Sequence, residues 1–291
     1  MDIMIHNLIT SNKTRIKCKK YIRKLAVYKN LVAALTIDRV CIYELNSEET
    51  AKSPRYYVKW DGEVNLILLT SNHLLICLEN RLLLFCLTNN TGSIEREWTF
   101  EADIKYLRVI GGAEKREALI GGLKNGEIYL IYIDNQFPVL IYQHEVPIRS
   151  LDVSCNRKRL AVVDENHDLF VIEISSKTVL WKDQKAKSVA FNSEIEDMIA
   201  FWYESNVYIK TADFPPTSEK MNGVIVGFRG TKVFLLQAMN NINVLDISHS
   251  TSIMKYTEKK NFDEAFKIAS LGATSQEWLY LGFESLLEFN I

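Results

Sequence analysis

The chain has 291 residues, of which 47% are hydrophobic and 24% are charged. This composition supports a buried core and excludes an intrinsically disordered protein. The formal net charge is −1, so the charge balance implies no partner among nucleic acids or membranes. No apolar run approaches the roughly 20 residues that a membrane-spanning helix needs, and the first residues lack the pattern of a secretory signal.

The predicted strands begin with a hairpin-like pair, "DIMIHNLIT" and "TRIKCKK", and then follow a repeat. Apolar strands with period-2 alternation open near these positions: Leu25, Leu66, Ile104, Ile148, Val189 and Val224. The interval is about 40 residues with three or four short strands in each, which is typical of the blades of a β-propeller. We therefore predict a mainly β, WD40-like propeller, although the sequence carries no Trp-Asp repeat signature.

Turn residues divide the third and fourth repeats into four strands each. In the third repeat, Asn125-Gly126 lies between two apolar strands and favours a tight hairpin turn. The segment Asp164–Asp168, "DENHD", holds the same place in the fourth repeat, and its Asp, Asn and His residues tolerate the backbone of a turn. A hairpin tip is the prediction here. The alternative is that its acidic side chains and His167 converge on a cation or act as acid and base.

The sixth repeat lacks an outer strand. We predict that the N-terminal strands supply it and close the ring, so that residues 1–250 form one propeller and no strand edge is left exposed. This gives six blades, or seven if the N-terminal hairpin counts as a blade of its own.

After Ser250 the apolar period changes from 2 to 3.6, which predicts helices over residues 251–291. Asn261 with Glu264, and Thr274 with Glu277, have the spacing of helix N-caps. A short apolar helix cannot cover its own stripe, so we predict the start of a TPR-like α-solenoid. The alternative is a terminal helical hairpin packed on the propeller. The candidate solenoid-stacking residues are Phe262, Phe266, Trp278, Leu281 and Phe289.

Motifs of catalysis and metal binding are not found. The sequence contains no G-x-S-x-G, H-E-x-x-H or P-loop pattern, and the five histidines are scattered. The five cysteines are never arranged as C-x-x-C, which fits reduced thiols and predicts no zinc site. The predicted inner strands are mainly apolar, whereas a propeller enzyme needs polar residues facing its channel. We expect no catalytic residue, no metal and no cofactor.

One segment carries much more positive charge than its surroundings. Its basic residues are Lys13, Arg15, Lys17, Lys19, Lys20, Arg23 and Lys24. Alternation places Lys13, Arg15, Lys17 and Lys19 on one face of a strand. The charge can simply protect a strand edge from aggregation, or it can bind an acidic partner, either a protein subunit or anionic lipid headgroups.

Four strings carry a family resemblance that spans nearly the whole chain: "LITSNKTRIKCKKYIRKLAVYKN", "VIGGAEKREALIGGLKNGEIY", "RKRLAVVDEN" and "NFDEAFKIASLGATSQEW". They resemble the second propeller and first solenoid helices of the intraflagellar transport protein 122 family, subunits of complex A of the ciliary transport machinery. The family pattern would add a first propeller before Met1 and a long solenoid after Ile291.

The resemblance implies a non-enzymatic scaffold that supports retrograde ciliary transport and the entry of membrane proteins into cilia. Implied partners are other complex A subunits, together with a tubby-like adaptor and membrane-protein cargo, but no nucleic acid. The implied locations are the cytoplasm, the cilium and its basal body. The alternative function is an anionic-membrane-binding propeller that acts through the basic N-terminal hairpin.

Overall fold

The structure is a computed structural model. It describes residues 2–7, 13–18, 20–45, 53–88, 92–183, 185–238 and 241–289. The chain divides into two compact units, Met1–Pro147 and Ile148–Ile291. Both consist mainly of antiparallel sheets whose strands follow one another in chain order.

The described residues of the first unit form one two-stranded and three four-stranded sheets. The two-stranded sheet consists of β1 (Asp2–His6) and β2 (Lys13–Lys17). Blade 1 consists of β3 (Lys24–Tyr28), β4 (Leu31–Leu35), β5 (Arg39–Glu44) and β6 (Tyr56–Lys59). Blade 2 consists of β7 (Leu66–Leu69), β8 (His73–Cys77), β9 (Arg81–Cys86) and β10 (Ile94–Thr99). Blade 3 consists of β11 (Ile104–Gly111), β12 (Ala118–Leu123), β13 (Glu127–Tyr132) and β14 (Val139–Gln143).

The part of the second unit that the structure describes forms two four-stranded sheets, one three-stranded sheet and three helices. Blade 4 consists of β15 (Ile148–Val153), β16 (Arg159–Asp164), β17 (Leu169–Glu173) and β18 (Thr178–Asp183). Blade 5 consists of β19 (Ser188–Phe191), β20 (Met198–Tyr203), β21 (Asn206–Thr211) and β22 (Thr217–Lys220). Blade 6 consists of β23 (Val224–Arg229), β24 (Lys232–Leu236) and β25 (Ile242–Asp246). The helices are α1 (Ser250–Glu258), α2 (Phe262–Ala269) and α3 (Ser275–Phe289).

The predicted β-propeller repeat is confirmed, because the first strand of every blade begins within one residue of its predicted position. The second strands, β4, β8, β12 and β16, are almost wholly buried along their length. When blades pack face to face, the inner strands of each sheet are covered on both faces, and their side chains are therefore buried along the whole strand. In the first unit, for example, Ile42 of blade 1 and Ile76 of blade 2 lie in one apolar cluster.

The predicted turn at Asn125-Gly126 is also confirmed. It joins β12 to β13, and Gly126 has a φ of 85°. A side chain here would place its Cβ only 2.0 Å from the carbonyl oxygen of His144. Only glycine, with no Cβ, fits both the backbone conformation and this close approach.

The N-terminal strands β1 and β2 pair with each other in antiparallel register. Their apolar face packs on blade 1, where Ile3, Ile16 and Cys18 form a buried cluster with Val32 and Tyr43. Within the described pairings blade 6 has three strands. Closure of the propeller by the N-terminal strands therefore stays a prediction.

The predicted helices are present, and the two N-caps predicted from residues three positions apart are formed. The Asn261 side chain accepts a hydrogen bond from the backbone N–H of Glu264 at 3.4 Å. At the start of α3, the Glu277 carboxylate accepts from the backbone N–H of Thr274 at 2.6 Å. The Thr274 hydroxyl accepts in return from the Glu277 N–H at 3.4 Å. This reciprocal pair is a capping box, and it satisfies two backbone donors that the helix leaves without partners.

Candidate functional site

The segment Asp164–Asp168 is a hairpin tip, as predicted. The His167 N–H donates to the carbonyl of Asp164 at 3.0 Å, and the Asp164 N–H donates to the carbonyl of Asp168 at 3.1 Å. His167 has a φ of 69°, and the Asp164 carboxylate accepts from the Asp168 N–H at 2.9 Å. The polar side chains thus stabilise the turn between β16 and β17.

Exposed basic side chains cover one face of the N-terminal hairpin. On β2 they alternate as predicted, with Lys13, Arg15 and Lys17 exposed and Ile16 buried. Among the other basic candidates, Lys20, Arg23 and Lys24 are exposed, whereas Lys19 lies outside the described residues. The structure therefore brings most of this charged set to the surface. Among the described ones, only the three on β2 belong to the hairpin itself, because Lys24 begins β3 of blade 1.

Two residues of the basic set are already paired. The guanidinium of Arg15 binds the Asp2 carboxylate, and Lys20 Nζ lies 2.6 Å from an Asp38 oxygen. Hydrogen bonds from Arg39 and Lys20 lower the pKa of Asp38. The remaining four are Lys13, Lys17, Arg23 and Lys24, and none of them forms a salt bridge with a carboxylate of the described residues. The hydrogen bond from Arg15 lowers the pKa of Asp2, and the charge of Lys17, opposite Asp2 in the strand register, adds to that effect. These four cations are the candidates for contact with an acidic partner.

The predicted solenoid-stacking residues divide between the inside and the outside of the second unit. Leu281 is 5% exposed and lies in one apolar cluster with residues of blades 5 and 6, and Phe262 is partly buried against that cluster. Phe266 and Trp278 are exposed and contact each other edge to face, with ring centroids 5.4 Å apart. The side chain of Phe289 lies outside the described residues.

Four further apolar residues of α3 face solvent: Leu279, Phe283, Leu286 and Leu287. Leu279 and Phe283 are four residues apart, and Leu286 and Leu287 continue the same helical face. We define the apolar helix face as these four residues with Phe266 and Trp278. The sequence alone could have revealed this face. On a helix with 3.6 residues per turn, Leu279 and Phe283 lie on nearly the opposite side from Leu281, so one short neighbouring surface cannot bury all three.

A cavity of about 380 Å³ lies between blades 4 and 5 of the second unit, and both positively and negatively charged side chains line it. Arg159 pairs with Asp197 across it. Lys210 Nζ lies 5.5 Å from the centre of the Trp181 ring and donates to the carbonyl of Phe214 at 3.0 Å. Arg159 and Asp197 neutralise each other, whereas Lys210 is held by an aromatic ring and a backbone carbonyl.

The helices add charge near this cavity. Burial raises the pKa of Asp197, Arg159 opposes that shift, and Glu196 and Glu264 reinforce it. Burial also raises the pKa of Tyr256 of α1 to about 12. Its ring packs edge to face on Phe214, with centroids 4.8 Å apart. These contacts join the helices to blade 5. The start of an α-solenoid and the terminal helical hairpin both stay predictions.

Among the described residues, no helix is both long enough and apolar enough to cross a bilayer.

Comparison with known proteins identifies the family. Residues 1–242 match the family model described as "IFT122 second beta-propeller". The intraflagellar transport protein 122 homolog of Homo sapiens is 39% identical over 289 residues, which cover 98% of this chain and 23% of the relative. The homologs of Mus musculus and Danio rerio are 39% and 37% identical, and each alignment covers 24% of the relative.

The chain thus spans about a quarter of the length of the curated relatives it matches. The family model covers most of the chain, and it covers all six blades up to the start of β25. The capped helices that follow lie within the alignments to the relatives. The chain therefore belongs to the intraflagellar transport protein 122 family, and residues 1–242 correspond to its second β-propeller.

Proposed function

We propose that this chain is a non-enzymatic scaffold and protein-interaction module of intraflagellar transport complex A. In this role it supports retrograde ciliary transport and the entry of membrane proteins into cilia. The observation that carries the proposal is the family match over residues 1–242. In this proposal the propeller of residues 1–250 supplies blades with apolar inner strands, and the helices of residues 251–291 begin a solenoid.

The proposed partners follow from the same family membership. They are other complex A subunits first, and a tubby-like adaptor and membrane-protein cargo second. The proposed locations are the cytoplasm, the cilium and its basal body. Support comes from the names of the relatives, each an intraflagellar transport protein, and from the sequence resemblance.

The basic hairpin is proposed as the contact for an acidic subunit. Lys13, Lys17, Arg23 and Lys24 are exposed and near one another in sequence, in a chain whose net charge is only −1. Their charges attract an acidic surface over a distance set by the ionic strength, about 8 Å at physiological salt. Such a contact raises the association rate and fixes orientation more than it adds affinity.

The apolar helix face is proposed as the surface on which further solenoid helices pack. Two of its large side chains, Leu279 and Phe283, are 73% and 62% exposed. A helix that covered them would gain about 25 cal/mol of free energy for each Å² of apolar surface removed from water. Solenoid helices cover their neighbours in this way.

A pull-down from ciliated-cell extract tests the hairpin contact. The full chain is compared with a variant in which Lys13, Lys17, Arg23 and Lys24 are changed to Glu. A matched control reverses four other exposed lysines: Lys59, Lys105, Lys115 and Lys220. We expect the native chain and the control to recover complex A subunits, and the hairpin variant to lose them. Equal recovery by all three proteins would contradict the hairpin contact.

The membrane alternative is tested with the same proteins and with vesicles of anionic or neutral lipid. Its supporting observation is the same group of four cations, since clustered Lys and Arg bind anionic headgroups. If the hairpin is a subunit contact, the native chain and the hairpin variant bind anionic vesicles equally weakly. Strong binding that only the native chain shows, and that salt abolishes, would favour the membrane function instead.

A further inference from the structure

Blade 2 brings together three side chains of the types that bind transition metals. His73 of β8 lies directly opposite Cys86 of β9 in the strand register, so both side chains project from the same face of the sheet. Glu95 of β10 lies at a shift in register, between the pairs that Ile94 and Arg96 make with β9. One imidazole nitrogen, the thiol sulfur and one carboxylate oxygen all lie within 4.8 Å of one another.

Hydrogen bonding on one side of His73 leaves its other nitrogen facing the cluster. Nδ1 lies 3.4 Å from the hydroxyl of Thr70, and that hydroxyl also accepts from the backbone N–H of His73 at 3.2 Å. Nε2 lies 3.6 Å from a Glu95 carboxylate oxygen. A partner on the second nitrogen is the usual means of orienting a histidine ligand.

The distance between Nε2 and the carboxylate suits a shared ion better than a direct contact. At 3.6 Å it exceeds the usual 2.7–3.2 Å of a hydrogen bond. Two ligands held about 2.0–2.2 Å from a tetrahedral zinc ion lie roughly 3.4 Å apart. Glu95 is exposed, and rotation of its side chain can bring the oxygen to the position that an ion requires.

A buried carboxylate lies close to this cluster. The Glu117 side chain is completely buried, and one of its oxygens has no hydrogen-bond partner among the described residues. The other oxygen accepts from the backbone N–H of Ser71 at 3.0 Å. Burial lowers the pKa of His73, and the charges of Glu95 and Glu117 oppose that shift. A buried acceptor without a partner is costly, and a nearby cation offsets that cost.

We propose that His73, Cys86 and Glu95 bind one Zn²⁺ ion, with water as the fourth ligand. The set of one nitrogen, one sulfur and one oxygen suits zinc, whereas Mg²⁺ and Ca²⁺ prefer oxygen ligands alone. Cys86 is in no disulfide, and its sulfur lies 3.0 Å from the hydroxyl of Thr88. On binding, the thiol would release its proton to solvent, and the thiolate would balance part of the charge of the ion. The ion joins β8, β9 and β10 and stabilises the outer half of blade 2.

Zinc titration of the full chain against a competing chelator tests this proposal. We expect one zinc ion per chain, and more than about tenfold weaker binding in each of Cys86→Ala and Glu95→Gln. These variants alter side chains that are not fully buried, so they are expected to fold. The matched control is Cys155→Ala, which removes an exposed thiol in blade 4 and should leave zinc affinity unchanged.

Two further measurements separate a zinc site from chance binding. With Co²⁺ as the probe, the native chain should show a thiolate-to-metal charge-transfer absorption that Cys86→Ala lacks. Zinc should also raise the Tm of the native chain, because an ion that binds only the folded state stabilises it. Failure to bind a stoichiometric zinc ion, or equal affinity in the native chain and both ligand variants, would overturn the proposal.

Discussion

The N-terminal hairpin and the C-terminal helices bury their apolar residues in different ways. The hairpin places Ile3 and Ile16 against blade 1 and turns charged residues outward. The helices bury Leu281 against blades 5 and 6 but leave a second apolar face exposed on α3. The hairpin is therefore suited to contacts that depend on charge and salt, whereas α3 is suited to contacts that depend on apolar area.

The largest expected effect is on the buried side of the helices. Leu281→Ala should lower the free energy of unfolding of the second unit by about 2–5 kcal/mol, because it leaves a cavity in a shared core. Leu286→Ala, on the exposed side of the same helix, should change it by less than about 0.5 kcal/mol. Chemical denaturation measures both. Similar losses for the two variants would mean that α3 does not have one buried and one exposed side.

A smaller effect is expected in the hairpin. Ile16 is 1% exposed, and Ile16→Val should weaken the hairpin by about 0.5–1.5 kcal/mol because it removes one buried methyl group. Native-state hydrogen exchange of the amides of β1 and β2 measures this local opening. If Lys17→Glu, a change on the charged face, had the same effect, the division of this hairpin into a packed and a charged face would be wrong.

The attachment of the helices should also depend on pH. Burial lowers the pKa of His249, although its contact with the Gly230 carbonyl and the charge of Glu277 oppose the shift. The folded protein therefore holds His249 neutral, while the unfolded chain takes up a proton at its ordinary pKa of about 6.5. The contribution of neutral His249 to the stability of the fold is therefore fully present above pH 6.5, and it is lost as the pH falls through the folded-state pKa.

We expect His249→Gln to reduce this loss of stability between pH 7 and pH 5, as followed by thermal denaturation at each pH. His144→Gln, at a half-buried position directly after β14 in the first unit, is the control and should keep the loss. Identical pH profiles for the native chain and His249→Gln would show that His249 does not link the helices to blade 6 in a pH-dependent way.

The smallest expected effect on stability is on the charged face. Changing Lys13 and Lys17 to Glu should alter the free energy of unfolding by less than about 0.5 kcal/mol, because both side chains are exposed. The same change should strongly reduce binding to an acidic partner at low salt, and high salt should reduce the difference. Binding measured at several salt concentrations tests this. A difference that does not vary with salt would exclude a charge-based contact.

Local patterns in the sequence predicted much of the fold. Alternating apolar residues located the first strand of each blade, and Asn125-Gly126 located a hairpin turn. The spacing of Thr274 and Glu277 predicted a capping box that the structure contains. Each of these features depends on residues a few positions apart, where backbone geometry limits the choices.

The candidate surfaces were predicted less completely. The basic hairpin was identified by its charge, but the pairing of Arg15 with Asp2 and of Lys20 with Asp38 was not. For α3, Leu281 was grouped with Trp278 although one is buried and the other exposed. A helical period shows that an apolar stripe exists, but the position of the neighbouring sheets decides which part of it is covered.

Within each repeat, strand order and turns follow from the amino-acid sequence because neighbouring residues determine them through period, turn chemistry and capping. The cluster of His73, Cys86 and Glu95 follows only from tertiary structure. These residues are 13 and 9 positions apart in the chain and show no metal-binding spacing. The pairing register of β8 with β9 and the shift in register on β10 bring them together, and register is decided by the burial of whole strands.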